Sequence, residues 1–193
     1  MAALWTPTPA RMAAARITEF MGQLESRGAG PFSGDYFALQ QWALDHPELF
    51  WRAVWEYCHV TGEGELDPAL EHPESFPGAR WFVNTRLNFA ENLLQRRDQH
   101  TALVSLLENG ERRELSYADL YRRVAQLAAS LRAEGVVAGD RVAGFMPNIE
   151  ETVVAMLAAT SIGAVWSSCL MRDFISSKST LLRPSKGSSC TSV

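Results

Sequence analysis

The sequence predicts an α/β fold: a helical N-terminal leader followed by the first βα units of a doubly wound sheet. Two observations carry this. From Gly135 to Cys169 one stretch packs strand, turn, helix and next strand into a single unit, and strands alternating with helices pair in parallel through right-handed crossovers. Earlier, the apolar positions from Met12 to Cys58 recur at helical spacing, the mark of amphipathic helices. A third observation limits the reading: after Cys169 neither the helical nor the strand period persists.

The elements follow in order. Met12, Ala15, Ile17, Phe20, Met21 and Leu24 place a helix over Arg11 to Arg27, closed by the breakers Gly28-Ala-Gly-Pro31. Ser33 or Asp35 caps a second helix through Leu44, which His46-Pro47 ends. A third starts at Pro47, since proline suits a first helical turn, with Phe50, Trp51, Val54, Trp55 and Cys58 as its apolar set. Trp42, Phe50, Trp51 and Trp55 are expected to pin these helices onto a larger body. Thr61 to Gly78, rich in Gly, Pro and acidic residues, reads as a surface connector.

Leu87 to Gln95 is a helix with Asn88 as cap. The period then changes: Ala102 to Leu107 is expected as a buried strand, Asn109-Gly110 as a two-residue hairpin turn, and Arg112 to Leu115 as the return strand. Ser116 with Asp119 opens a helix in capping-box fashion; Leu120, Val124, Leu127, Ala128 and Leu131 form its core face, and Gly135 ends it. Asp140 to Met146 is a strand expected to be covered on both faces. Asn148 with Glu151 is expected to cap the helix Ile149 to Ser161, and Gly163 to Ser167 begins the next strand.

At 193 residues, 47% hydrophobic, 21% charged and with net charge −4, the chain is globular and large enough for one sizeable core. Mild acidity without a basic stripe argues against a nucleic-acid groove. The longest uninterrupted apolar run, Val153 to Ala159, falls far short of the roughly 20 residues that cross a bilayer. Thr6, Pro7, Thr8, Pro9 and Arg11 interrupt the Ala-rich start and leave no apolar signal region, so the expected location is the cytoplasm. Cys58, Cys169 and Cys190 have neither metal-ligand nor disulfide spacing and read as reduced thiols, Cys58 on a buried helix face.

No catalytic constellation and no metal site assembles from these residues. His46, His59, His72 and His100 are scattered, and no G-x-S-x-G elbow accompanies them. Glu150 and Glu151 are adjacent on a helix, point in different directions, and are explained by the positive end of the helix dipole. Neither common glycine-rich phosphate cradle occurs. Arg183-Pro-Ser-Lys-Gly-Ser-Ser189 resembles a phosphate loop only superficially, because it lacks the flanking strand and helix.

Trp81-Phe-Val-Asn-Thr-Arg-Leu-Asn-Phe-Ala-Glu-Asn-Leu-Leu94, Leu115-Ser-Tyr-Ala-Asp-Leu120, Gly139-Asp-Arg-Val142, Met146-Pro-Asn148, Ala155 to Ala159 and Ser161-Ile-Gly-Ala-Val-Trp-Ser-Ser168 resemble the opening of an acyl-adenylate-forming ligase. The resemblance spans about residues 11 to 169, and Arg86 to Asn92 with Trp166 to Ser168 narrow it to the acetoacetate–CoA ligase branch. It implies a helical segment over 1–80 of the acetyl/acetoacetyl-CoA synthetase type, the start of an AMP-binding large domain over 81–169, and a departing, disordered tail over 170–193. It implies two steps: ATP and acetoacetate form an acyl-adenylate, and the thiol of coenzyme A then displaces AMP. ATP, Mg²⁺ and coenzyme A are the family's cofactors; the phosphate loop, hinge and catalytic Lys have no counterpart in these residues.

The resemblance places Trp166, Ser167, Ser168 and Cys169 near the coenzyme A adenine. Where the family commonly reads Ser-Pro-Asp-Phe-Gly, this chain has Leu170-Met-Arg-Asp-Phe-Ile175. The last 24 residues hold seven serines and a net charge of +3, from Arg172, Lys178, Arg183 and Lys186 against Asp173. Loss of pattern at one point implies an out-of-frame or spliced extension. The expectation is a fragment inactive alone; the competing readings are a non-catalytic α/β module that docks a partner or a nucleotide, and a small flavodoxin-like carrier.

Overall fold

The computed structural model describes residues 4–169 and 180–181, and the chain divides into two units, Met1–Arg86 and Leu87–Val193. In the first unit, helices α1 (Pro9–Ala13), α2 (Arg16–Ser26), α3 (Tyr36–Asp45) and α4 (Pro47–Tyr57) precede four two-residue strands: β1 (Glu63–Gly64), β2 (Leu70–Glu71), β3 (Arg80–Trp81) and β4 (Thr85–Arg86). The helix expected over Arg11 to Arg27 is thus two, broken between Ala13 and Arg16. Asp35, not Ser33, caps α3 by accepting from the Phe37 amide at 2.9 Å. The surface connector is stitched near its start and its middle to the residues that follow it, β1 pairing antiparallel with β4 and β2 with β3.

The core of this unit is Phe20, Met21, Leu24, Phe32, Leu39 and Ala53, with Trp42, Phe50 and Val54 packed against it. Phe20 meets Phe50 edge-on at 6.0 Å and Phe32 meets Trp42 at 5.8 Å, the geometry favoured by ring quadrupoles. Trp51 and Trp55 instead pack against Trp81 and Phe82, just beyond the connector. Cys58 is exposed, contrary to its expected burial. Helix α4 closes one residue before it: the Val60 amide reaches back to the Trp55 carbonyl and the His59 amide to Glu56, a Schellman ending that leaves Cys58 as the cap rather than on the buried face.

The second unit runs α5 (Phe89–Leu93), β5 (Thr101–Leu106), β6 (Arg112–Ser116), α6 (Tyr117–Ala133), β7 (Arg141–Phe145), α7 (Glu150–Ser161), β8 (Val165–Cys169) and β9 (Thr180–Leu181). β7 and β8 pair in parallel from Arg141↔Val165 to Phe145↔Cys169 and are joined by α7, while β9 lies antiparallel on the other edge of β7. Both long helices end on glycines at positive φ, Gly135 at 84° and Gly163 at 79°. In each, the amide beyond the glycine returns to the helix: Val136 to the Leu131 carbonyl and Ala164 to Ala159, both at 3.0 Å. The left-handed turn needs a residue without Cβ strain, and Val136 and Ala164 then join the core with Ala159 and Val142.

From Val153 to Ala159 helix α7 is entirely apolar, and Val154, Ala155, Leu157, Ala158 and Ala159 are all buried. Leu157 and Ala158 sit in one core with Ala90, Leu94, Leu115, Leu120, Val124 and Ala128, while Ala159 sits in the other. Asn88 ties this arrangement together, accepting from the Glu91 amide as N-cap of α5 while its Nδ2 donates to the Thr160 carbonyl at 3.0 Å. One short polar side chain therefore satisfies the start of one helix and the end of another.

Four local expectations are corrected. β5 is half-covered rather than buried, with Leu106 74% exposed, because it pairs only with β6 among the described strands and only Ala102 and Leu103 reach the core. The hairpin loop has three residues, closed by the Leu107 amide on the Glu111 carbonyl, with Gly110 at φ 83°. β7 alternates, Val142 and Gly144 inward and Arg141, Ala143 and Phe145 outward, so one face of it is open among the described residues. Asn148 does not cap α7. Ile149 takes the extended N-cap position without a side-chain bond, and the Thr152 hydroxyl donates to the Pro147 carbonyl at 2.6 Å instead. The expected tail, apart from Thr180 and Leu181, lies outside the described residues.

Candidate functional site

Two parallel strands end side by side at Phe145 and Cys169. In sheets of this kind ligands bind beyond the carboxyl ends of the strands, and all four residues singled out from the sequence, Trp166, Ser167, Ser168 and Cys169, lie in β8 leading to that end. Trp166 is opposite Val142 and is partly buried against Val136, Val142, Ala159 and Ala164. Ser167 and Ser168 are exposed, and the backbone of Cys169 pairs with Phe145.

The position of Trp166 depends on a glycine one strand away. A Cβ built on Gly144 would lie 2.8 Å from Cζ2 of the indole and closer still to Cη2, well inside van der Waals contact. The benzo rim of the indole, Cζ2 and Cη2, therefore lies against the bare backbone of β7 at Gly144. Sequence reasoning did not single out Gly144. The available signal is a glycine interrupting a strand pattern, which marks close approach by another group.

The other chemistry sits where β7 hands over to α7. Glu150 is 8% exposed, with Arg113 Nη1 at 3.8 Å from Oε1. Its carboxyl is held below the ordinary value of 4.5, first by the Ser105 hydroxyl, then by its own amide at the helix start and the charges of Arg113 and Arg123, against the cost of desolvation. Arg113 itself is shared, its Nε donating to Glu111 at 2.7 Å. Oε2 of Glu150 and Oε2 of Glu151 are buried without a hydrogen-bond partner. The dipole explanation for these residues is therefore incomplete, because the approach of β5 and β6 buries one of them and periodicity within α7 cannot report that.

A carboxyl whose folded pKa is depressed stabilises the fold above its unfolded pKa and loses that contribution as pH falls through the folded value. Acidification below about 4.5 is expected to lower the melting temperature of the wild type more steeply than that of Glu150→Gln. Melting curves across that pH range check this, and parallel slopes in the two proteins would refute it.

Two surface grooves of about 410 and 420 Å³ lie in the first unit. Leu24, Trp42, Leu49 and Ala53 give the first an apolar floor, but its arginines are already engaged, Arg27 with Glu56 and Arg52 with Glu56 and Asp67. Among the described residues no three acidic, His or Cys side chains converge to hold a metal ion, and no helix is long and apolar enough to cross a membrane.

Residues 36–93 match the acetyl-coenzyme A synthetase N-terminus family and residues 89–172 match the AMP-binding enzyme family. The acetoacetyl-coenzyme A synthetase of Rhizobium meliloti (strain 1021) is 40% identical over 166 residues, 86% of this chain and 25% of that protein. The malonamoyl-CoA synthetase of Penicillium aethiopicum is 35% identical over 139 residues, 68% of this chain and 19% of that protein. The structure of the acetoacetyl-CoA synthetase from Streptomyces lividans superposes with a TM-score of 0.79 at 41% identity, covering 88% of this chain and 27% of that one. The chain thus spans about a quarter of the length of the acetoacetyl-CoA synthetases it matches. Its fold is consistent with an incomplete α/β adenylate-forming domain, and the chain is similar to the N-terminal part of acetoacetyl-CoA synthetases.

Proposed function

We propose that this chain is the N-terminal part of an ATP-dependent acid–thiol ligase that converts acetoacetate to acetoacetyl-CoA, and that the 193 residues alone do not turn over. The observation that carries this reading is the likeness to the Streptomyces lividans enzyme over 88% of the chain. In the proposed reaction a carboxylate oxygen attacks the α-phosphorus of ATP and pyrophosphate leaves. The thiol sulfur of coenzyme A then attacks the acyl carbon, and the carbon–oxygen bond to AMP breaks. Mg²⁺ would supply neutralisation of phosphate charge.

The residues present fit only one of these groups. The exposed hydroxyls of Ser167 and Ser168 beside the anchored Trp166 offer polar and stacking contacts at a strand end, and we assign Trp166, Ser167, Ser168 and Cys169 to the coenzyme A side of the site. For ATP and Mg²⁺ no glycine-rich cradle occurs in the sequence, so no step through them is assigned to these residues. We assign 1–80 to the helical segment, 81–169 to the start of the AMP-binding domain and 170–193 to a separate tail.

Incubating the purified chain with ATP, Mg²⁺, coenzyme A and acetoacetate is expected to yield no acetoacetyl-CoA. Detectable product would overturn the assignment of inactivity. Reading the gene beyond codon 169 in all frames tests the family reading separately. A frame giving Ser-Pro-Asp-Phe-Gly and a later Ser/Thr/Gly-rich loop ending in Lys supports it; absence of any such frame refutes the out-of-frame extension and favours a non-catalytic binding module.

A further inference from the structure

The edge of β7 that faces away from β8 is occupied by β9, Gly144 opposite Leu181 and Phe145 opposite Thr180. We propose that this short strand is an edge cap, through which Thr180 and Leu181 shield the carboxyl-terminal end of β7. An uncapped edge presents unpaired N–H and C=O groups, a template for another chain's strand. The AMP-binding match ends at residue 172, so the cap belongs to the segment beyond the family likeness.

The sequence around β9 suits this role. Thr180-Leu181-Leu182 combines a β-branched and two apolar residues between Lys178 and Arg183, with Pro184 immediately after. The cap covers Gly144 and Phe145, next to the backbone on which Trp166 rests.

Adjacent residues of a strand direct their N–H groups to opposite edges. Of Gly144 and Phe145, one amide therefore faces β9 and the other faces β8. The test is amide hydrogen exchange in the full 193-residue chain carrying Leu181→Pro and, separately, Thr180→Pro, because only one of these residues donates into β7 and proline removes that donor. In at least one variant, the β9-facing amide is expected to exchange about tenfold or more faster while its neighbour keeps wild-type protection. If both amides keep their protection in both variants, or lose it together, the proposal is wrong.

Discussion

Gly144→Val is expected to destabilise the second unit by about 3 kcal/mol, near the upper end for overpacked sites. The first added carbon already falls 2.8 Å from the Trp166 indole, and the β-branch adds two more in the same direction. Either the ring leaves its seat over β7 or β7 separates from β8, and both cost buried apolar contact with Val136, Val142, Ala159 and Ala164. Trp166 is the one tryptophan of six that lies in residues 87–193. Its indole N–H resonance, assigned by loss in Trp166→Phe, is expected to shift in Gly144→Val while the other five stay in place. Pairing Gly144→Val with Trp166→Leu removes the clash, so the double variant is expected to recover about 1–2 kcal/mol relative to the sum of the single changes. Additive costs would mean that the glycine serves some purpose other than seating the ring.

Leu157→Ala is expected to cost about 2–5 kcal/mol, the range for truncating a fully buried leucine. Leu157 is 2% exposed and lies among Ala90, Leu115, Leu120, Val124 and Val154, contributed by α5, β6, α6 and α7. Four elements fix its surroundings, so the cavity cannot close by moving one side chain. Against a total stability of about 5–15 kcal/mol for a typical domain, this loss leaves little margin. Denaturant titration checks it: the midpoint should fall sharply. A change below about 1 kcal/mol would mean that the core around α7 is loosely packed.

The contrast between Asn88 and Glu150 shows what one chain segment reveals about itself. Asn88 was legible as an N-cap from its place before Phe89, and it caps α5; its second bond, to Thr160, spans 72 residues and was not legible. Glu150 stands in a first turn, where its sequence neighbours explain it completely as a dipole partner. Only the arrival of Ser105 and Arg113 buries it. The candidate site divides the same way. Trp166 to Cys169 were marked by their place at a strand end within a family-like stretch, whereas the glycine that seats the indole became visible only across the β7–β8 ladder.

The sequence by itself determined the order of the longer helices and of β5 to β8, the core face of α6 along Leu120, Val124 and Ala128, the Ser116 cap, and the helix end at Gly135. Each of these rests on hydrogen bonds or side-chain spacing within a few residues, so the information is local. The tertiary structure alone decided that β5 and β7 keep an open face among the described residues, that Glu150 is enclosed, and that Thr180 and Leu181 pair with Phe145 and Gly144 of β7. Those outcomes depend on which distant segments arrive to cover a surface, and burial is a property of the assembled neighbours rather than of the residue that is buried.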